Sequence, residues 1–293
     1  MAFRIVKVNN RCKLETQLNY LVCRSDKEVR IPLDEIAILI IENQQVCITS
    51  ALISELVSHK VKVIFCDSSH NPQSELVPQH GAYNTYERIQ LQTHWGKEIQ
   101  DSVWANIISQ KIENQSRILR FTGDEKTYAI LQGYLSEVSP GDTLNREGLS
   151  AKLYFASLFG SDFDRRKDAD IRNTYLNYGY SMLLSSVNRE ISNAGYLPAL
   201  GIHHIGAENP FNFGCDLMEP FRPFIDRMVV QKYLNEKDFK RQLIDSLNIE
   251  YLCDGKVTIL ENAIHAFCLS VFNALNSNDP SKILKVTFQD GQL

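Results

Sequence analysis

The spacing of apolar residues changes period once along this chain, near Tyr86, and that change limits the possible fold more than any other feature. Before it, residues 3–8, 12–16, 20–24, 28–32 and 35–42 are short, rich in β-branched residues and separated by turns such as Asn9-Asn10 and Ser25-Asp26-Lys27. Thr49 is placed to cap a helix carrying Leu52, Ile53, Leu56 and Val57, and residues 61–66 read as a further strand. After it, Trp95, Ile99, Val103 and Ile107 step by four and define one helical stripe. Asp124 and Asp142 are predicted to cap the next two helices, and a long helix from about Asp170 ends at Gly195. An Asp254-Gly255 hairpin interrupts the later helices.

Between the two regimes, residues 68–86 hold Asn71-Pro72, Pro78 and Gly81 and follow neither period. The reading is an α+β chain with a small β-rich N-terminal domain (1–70), a linker (71–86) and a larger, all-helical C-terminal domain (87–293). A chain of 293 residues can bury two such cores without disulfides. Its seven cysteines are odd in number and scattered, with no Cys-x-x-Cys pair, which disfavours a disulfide framework or a zinc module and points to a reducing cytoplasm. The opening Met1-Ala2-Phe3-Arg4 predicts no signal peptide, and no apolar run approaches the roughly 20 residues that span a bilayer. The net charge of −4 weighs against a lone nucleic-acid binder unless a basic strip, a metal or a basic partner supplies local positive field.

Neither a phosphate-binding Gly-x-x-x-x-Gly-Lys loop, nor Gly-x-Gly-x-x-Gly, nor a Gly-x-Ser-x-Gly elbow is present. Three other places carry candidate chemistry. Glu147 shares a helix face with Ala151, Tyr154 and Leu158, where a carboxylate is costly unless a cation or metal meets it. A first-turn Glu favoured by the helix dipole and paired with Arg146 or Lys152 fits the same pattern. Gly201-Ile202-His203-His204 sets two imidazoles in an irregular loop, suited to metal ligation or to simple backbone bonding. Asp216 and Glu219, three apart, offer oxygens to a hard divalent ion, and they equally fit a helix-capping box. Together the set suits metal-assisted phosphodiester chemistry and lacks the thiolates of a structural zinc site.

Gly201-Ile202-His203-His204, followed by Asp216-Leu217-Met218-Glu219-Pro220-Phe221-Arg222-Pro223, resembles the CRISPR-associated Cas-one (Cas1) integrase and endonuclease family. Glu147-Gly148 with Ala151 and Tyr154-Phe155 resembles its upstream catalytic segment, and the likeness runs through nearly the whole chain. Asn177-Tyr178-Gly179-Tyr180 and Asn209-Pro210-Phe211-Asn212 look like the type II subgroup, with Phe213-Gly214-Cys215 a small departure. The resemblance implies an integrase that joins 3′-hydroxyl ends of captured double-stranded DNA into the leader-end repeat of a CRISPR array. It implies Glu147, His204 and Glu219 as catalytic ligands of magnesium or manganese, with Asp216 auxiliary. It also implies a homodimer through the N-terminal domain and a heterohexamer with the small partner Cas-two (Cas2). In type II systems the effector nuclease and an accessory adaptation protein join as well.

Arg146, Arg165, Arg166, Lys167 and Arg222 are the candidate DNA contacts, although Asp162, Asp164, Asp168 and Asp170 make a solvated loop an alternative for the middle three. The metal-free cluster is expected to show raised carboxyl pKa values. A nuclease acting on branched DNA, a non-catalytic DNA-holding subunit and a helical scaffold that binds no nucleic acid are the rival readings.

Overall fold

The computed structural model describes residues 4–68, 70, 72–76, 84–167, 169–231 and 250–287. Asp168 and the tripeptide Met1–Phe3 lie outside them. The chain forms two compact units that meet in sequence at Gly81.

In the first unit the six strand-like segments become β1 (Arg4–Val8), β2 (Lys13–Gln17), β3 (Tyr20–Arg24), β4 (Glu28–Pro32), β5 (Ile36–Ile41) and β7 (Lys62–Cys66), and a two-residue strand that the sequence reading did not foresee, β6 (Cys47–Ile48), precedes the helix. One sheet has the order β4-β3-β2-β6, an antiparallel meander with β6 parallel to β2. The other runs β1-β5-β7, all parallel. The run Ile36-Ala37-Ile38-Leu39-Ile40-Ile41 is buried at every position, as a central parallel strand covered on both faces requires. Leu14 and Leu21 from the meander, Leu39 and Val63 from the parallel sheet, and Leu52 and Leu56 from α1 (Ser50–Ser58) share one apolar cluster. Thr49 caps α1 as expected, accepting from the Leu52 amide at 3.3 Å.

Part of the stretch read as linker is ordered as β8 (Pro72–Glu75), antiparallel to β7. It escapes the strand pattern because Pro72-Gln73-Ser74-Glu75 has no apolar face. Its proline sits at the first position of an edge strand, where a missing amide donor is tolerated.

The second unit is built on α2 (Thr85–Thr93) and the 26-residue α3 (Lys97–Thr122). Trp95, Ile99, Val103 and Ile107 are all buried, Trp95 just before the helix begins. Around α3 lie α4 (Glu125–Glu137), α5 (Arg146–Phe159), α6 (Ile171–Asn193), α7 (Asn212–Met218), α8 (Arg222–Gln231) and α9 (Leu260–Ser277). Asp124 caps α4 and Asp170 caps α6. The cap of α5 is Asn145, at φ 50°; Asp142 instead accepts from the amides of Arg146 and Glu147, each at 2.9 Å.

The description "all-helical" needs correcting for this unit. The Asp254-Gly255 hairpin joins β9 (Glu250–Cys253) to β10 (Lys256–Ile259), and β11 (Val286–Thr287) adds to β9, giving a three-stranded sheet. Gln110 on α3 holds β11 in place, with its side chain bonded to Leu284 O and Val286 N. No described helix is long and apolar enough to cross a membrane.

Candidate active site

The site is assembled around α3. Four residues beyond Ile107, the apolar stripe continues with Lys111, which is only 5% exposed. Its ammonium lies 2.6 Å from Glu147 Oε1 and 2.5 Å from Glu219 Oε2. Two carboxylates from distant segments therefore converge on one buried cation. Lys111 was not among the residues singled out from sequence, yet the signal was present: a lysine in register with four buried apolar positions must find counter-charges inside.

Glu147 reaches Lys111 from the first turn of α5, whose starting amides are occupied by Asp142 and Asn145. Neither neighbour considered as its partner takes that part: Arg146 pairs with Glu137 at 2.5 Å and lies over the Tyr134 ring. Burial pushes the Glu147 carboxyl up, but the charge of Lys111 and its hydrogen bond more than offset this, and the group sits below its usual value. The expected rise for Glu147 is thus reversed, because Lys111, and not the neighbours Arg146 or Lys152, supplies the cation.

Glu219 opens the single turn Glu219–Phe221 that joins α7 to α8. Asn114, one turn along α3 from Lys111, fixes this turn by donating to Pro220 O at 2.9 Å. Arg222 approaches Glu219 Oε1 at 3.1 Å. Glu219 Oε2 and Arg222 Nε are both buried in contacts that are close but off the hydrogen-bonding angle, so neither is satisfied as a hydrogen-bond partner.

Asp216, fully buried, does not cap a helix. It lies inside α7 and turns its carboxylate onto the histidine loop. Oδ2 accepts from the amides of Ile202 (2.7 Å) and His203 (3.2 Å), and Oδ1 from the His204 amide (3.0 Å). The same Oδ1 lies 2.6 Å from His204 Nδ1. A carboxylate there requires the proton on Nδ1, which leaves Nε2 with its lone pair for a ligand. That hydrogen bond raises the His204 pKa. Gly201 is required for the approach, since a Cβ would stand 2.3 Å from His204 O and 2.8 Å from Asp216 Oδ2. Gly214, in the segment that departs from the family pattern, sits where a Cβ would come within 2.1 Å of Asn188 Oδ1.

His203 has a different environment. Its ring stacks on buried Trp104 at 4.0 Å and 6°, and burial lowers its pKa. His204 meets the same indole edge-on. Beside His204 opens a cleft of about 510 Å³ lined by Gln92, Leu200, Gly201, Ile205 and Asn212 among others.

The structure thus brings Glu147 and Glu219 to one point and holds His204 by Asp216 within electrostatic reach of both. Among the described residues no three acidic, histidine or cysteine side chains close on one another as a ligand set. Two carboxylate oxygens and an imidazole nitrogen are nonetheless the donor types a hard divalent ion takes, and the carboxylates already share a cation. The candidate DNA contacts are all engaged within the chain. Arg165 bonds Asn173 and Asn177 and lies over Tyr180, while Arg222 lies over the same ring. Arg166 forks onto Asp164 and Lys167 contacts Asp162 O, both from exposed positions.

The family model for CRISPR associated protein Cas1 matches residues 6–251. A CRISPR-associated endonuclease Cas1 from Neisseria meningitidis serogroup C (strain 8013) is 36% identical over 234 residues, covering 80% of this chain and 77% of the relative. Among solved structures, a casposase bound to integration product superposes with TM-score 0.77 at 21% identity, over 96% of this chain and 94% of that one. A Cas6-RT-Cas1–Cas2 complex gives 0.74 at 17% identity, over 98% of this chain and 36% of that one. At these identities the two structures show a shared fold.

Proposed function

The chain belongs to the CRISPR-associated Cas1 family, and from that premise we propose that it is a CRISPR adaptation integrase. It joins the 3′-hydroxyl ends of a captured DNA fragment to the leader-end repeat of an array by transesterification. The observation that carries this reading is the convergence of Glu147 and Glu219 on one buried cation, beside an imidazole oriented by Asp216.

Glu147, His204 through Nε2, and Glu219 would hold magnesium or manganese. When bound, such an ion neutralises charge on the scissile phosphate and lowers the pKa of the attacking hydroxyl. The protein's own part is positional. Asp216 fixes both the loop and the tautomer of His204, Asn114 fixes the Glu219 turn, and Asp142 with Asn145 anchors the helix start that carries Glu147. The reaction exchanges one phosphodiester for another, so it needs orientation and charge neutralisation more than a driving force.

With a net charge of −4, the lone chain is expected to bind DNA weakly and with strong salt dependence. Exposed Arg166 and Lys167 are the residues best placed to reach phosphate; Arg146, Arg165 and Arg222 serve internal contacts. A Cas2 partner, as in the named complex, would supply further binding surface, and the N-terminal unit is the proposed homodimer surface. The type II subgroup, with its effector nuclease and accessory protein, is the finer assignment, supported by the Asn177–Tyr180 and Asn209–Asn212 segments. The setting is the prokaryotic cytoplasm, where seven free cysteines stay reduced.

The named endonuclease relatives favour one second reading, in which the same site uses water to cut branched DNA. The chain, a Cas2 partner, manganese and a supercoiled repeat plasmid are incubated with a duplex ending in 3′-hydroxyl or 3′-deoxy. Joined product only from the 3′-hydroxyl duplex, lost in Glu147→Gln, His204→Ala and Glu219→Gln, is the expected result. Strand release without joining, regardless of the 3′ end, establishes the endonuclease. Joining that persists in Glu219→Gln overturns the site.

A further inference from the structure

We infer that the Lys111 ammonium is the resident cation of the Glu147–Glu219 pair, and that a divalent ion enters this site only by displacing it. The inference rests on the reading of Glu147, His204 and Glu219 as metal ligands, and it adds a residue that tunes how tightly they hold the ion.

The geometry leaves room for one cation. Lys111 Nζ is 2.6 Å from one carboxylate oxygen and 2.5 Å from the other, in the gap between them. Magnesium takes its oxygen ligands at about 2.0–2.1 Å, so an ion held by these two oxygens would need the space that the ammonium fills. An ammonium nitrogen and a divalent ion that contact the same two oxygens would occupy the same space, so only one of them can stand in that gap. Lys111 is therefore neither a ligand nor a neutral bystander in metal binding. It competes with the ion.

The pair is also poised for exchange. Glu219 Oε2 is buried and meets Lys111 outside hydrogen-bonding geometry, so its charge is balanced but its lone pairs are not fully used. Arg222, the other cation against Glu219, is likewise without a satisfied Nε bond. The lysine stem is four flexible carbons, so the ammonium is not fixed to α3 as a backbone group would be. The metal-free protein then keeps its two acidic groups together, at the cost of weaker metal affinity.

Full-length wild type, Lys111→Met, Lys111→Gln and Glu219→Gln are titrated with manganese, following free Mn2+ by electron paramagnetic resonance. Melting temperature is measured in chelator and in manganese. The expected result is at least tenfold tighter binding in Lys111→Met and Lys111→Gln than in wild type. Both variants should also melt lower than wild type in chelator and recover with manganese. A lysine that serves structure alone predicts a melting loss that manganese does not restore, and that result overturns the inference. Equal or weaker manganese binding in both lysine variants, while Glu219→Gln abolishes wild-type binding, overturns it with the site reading intact. Unchanged binding in Glu219→Gln instead sinks the site reading itself. Should the lysine variants fail to fold in chelator, folding on addition of manganese supports displacement, and failure to fold even then refutes it.

Discussion

Two buried ionic clusters lie in the second unit, and they are finished to different standards. In one, Arg189 on α6 bonds Glu190 Oε1 (2.8 Å) and Glu261 Oε2 (2.7 Å), Ser186 donates to Glu261 Oε1, and His265 closes on Glu190 Oε2. Each carboxylate oxygen has a hydrogen-bonding partner. In the other, Lys111 stands between Glu147 and Glu219, and Glu219 Oε2 and Arg222 Nε are buried without satisfied hydrogen bonds. The first ties α6 to α9, with a partner on every carboxylate oxygen. The second keeps charge balance while leaving coordination capacity open. Burial of ions therefore does not by itself mark a functional site: both clusters are buried, and only the second has its carboxylates facing one shared ammonium.

The largest effect should come from breaking the finished cluster. Arg189→Met strands two carboxylates that are otherwise only partly answered by Ser186 and His265, and should cost about 3–5 kcal/mol of folding stability. The deficit should appear in urea denaturation and should not be restored by manganese, in contrast to Lys111→Met. His265→Ala removes a half-exposed partner while Arg189 remains, and should cost less than about 1 kcal/mol. A large His265→Ala effect would place the weight of the finished cluster at its solvent edge.

A pH series sharpens the comparison from another buried acid. Asp226 on α8 accepts the Tyr180 hydroxyl and feels the charges of Arg222 and Lys111. Burial raises its pKa to about 7 despite that bond and the charge of Arg222. Between the unfolded value, near 4, and about 7, the folded chain keeps a proton that the unfolded chain has lost. Stability should therefore be highest on the acid side of this window and decline as pH rises through it. The slope is at most about 1.4 kcal/mol per pH unit, and the curve flattens above neutrality. Asp226→Asn should remove that decline. Chemical denaturation at stepped pH that shows the same slope in both proteins would assign it to other groups.

Legibility in the sequence followed the range of the interaction. Six of the first unit's strands were readable because alternation and turn residues are local signals; β6, only two residues long, and β8, a polar edge sequence with no apolar face, were not. The family motifs marked Glu147, His204, Asp216 and Glu219, but local spacing also fitted Asp216-x-x-Glu219 to a capping box. What Asp216 binds is three amides 12 to 14 residues upstream, which no local pattern encodes. Asp142 was read as the cap of α5, but the left-handed conformation at Asn145 makes that residue the cap. Lys111 was the one miss that a local rule would have caught, as the next step of a stripe whose other positions are all buried.

The smallest effect expected is at His203, and it tests which imidazole belongs to the site. The His203 ring contributes a stack on Trp104, worth about 0.5–1.5 kcal/mol beyond the area it buries. Its backbone amide, which donates to Asp216, survives substitution by alanine. His203→Ala should thus keep the loop, keep the His204 tautomer and retain strand joining within a few-fold of wild type. His204→Ala removes the one ring nitrogen that Asp216 leaves available, and joining should fall by two orders of magnitude or more. Joining assays run at saturating manganese separate a weakened site from a lost one: a His203→Ala defect that manganese repairs reflects a loosened loop. If His203→Ala is inactive at all manganese concentrations and His204→Ala is active, the Asp216 contact serves the loop alone and the ligand is the ring stacked on Trp104.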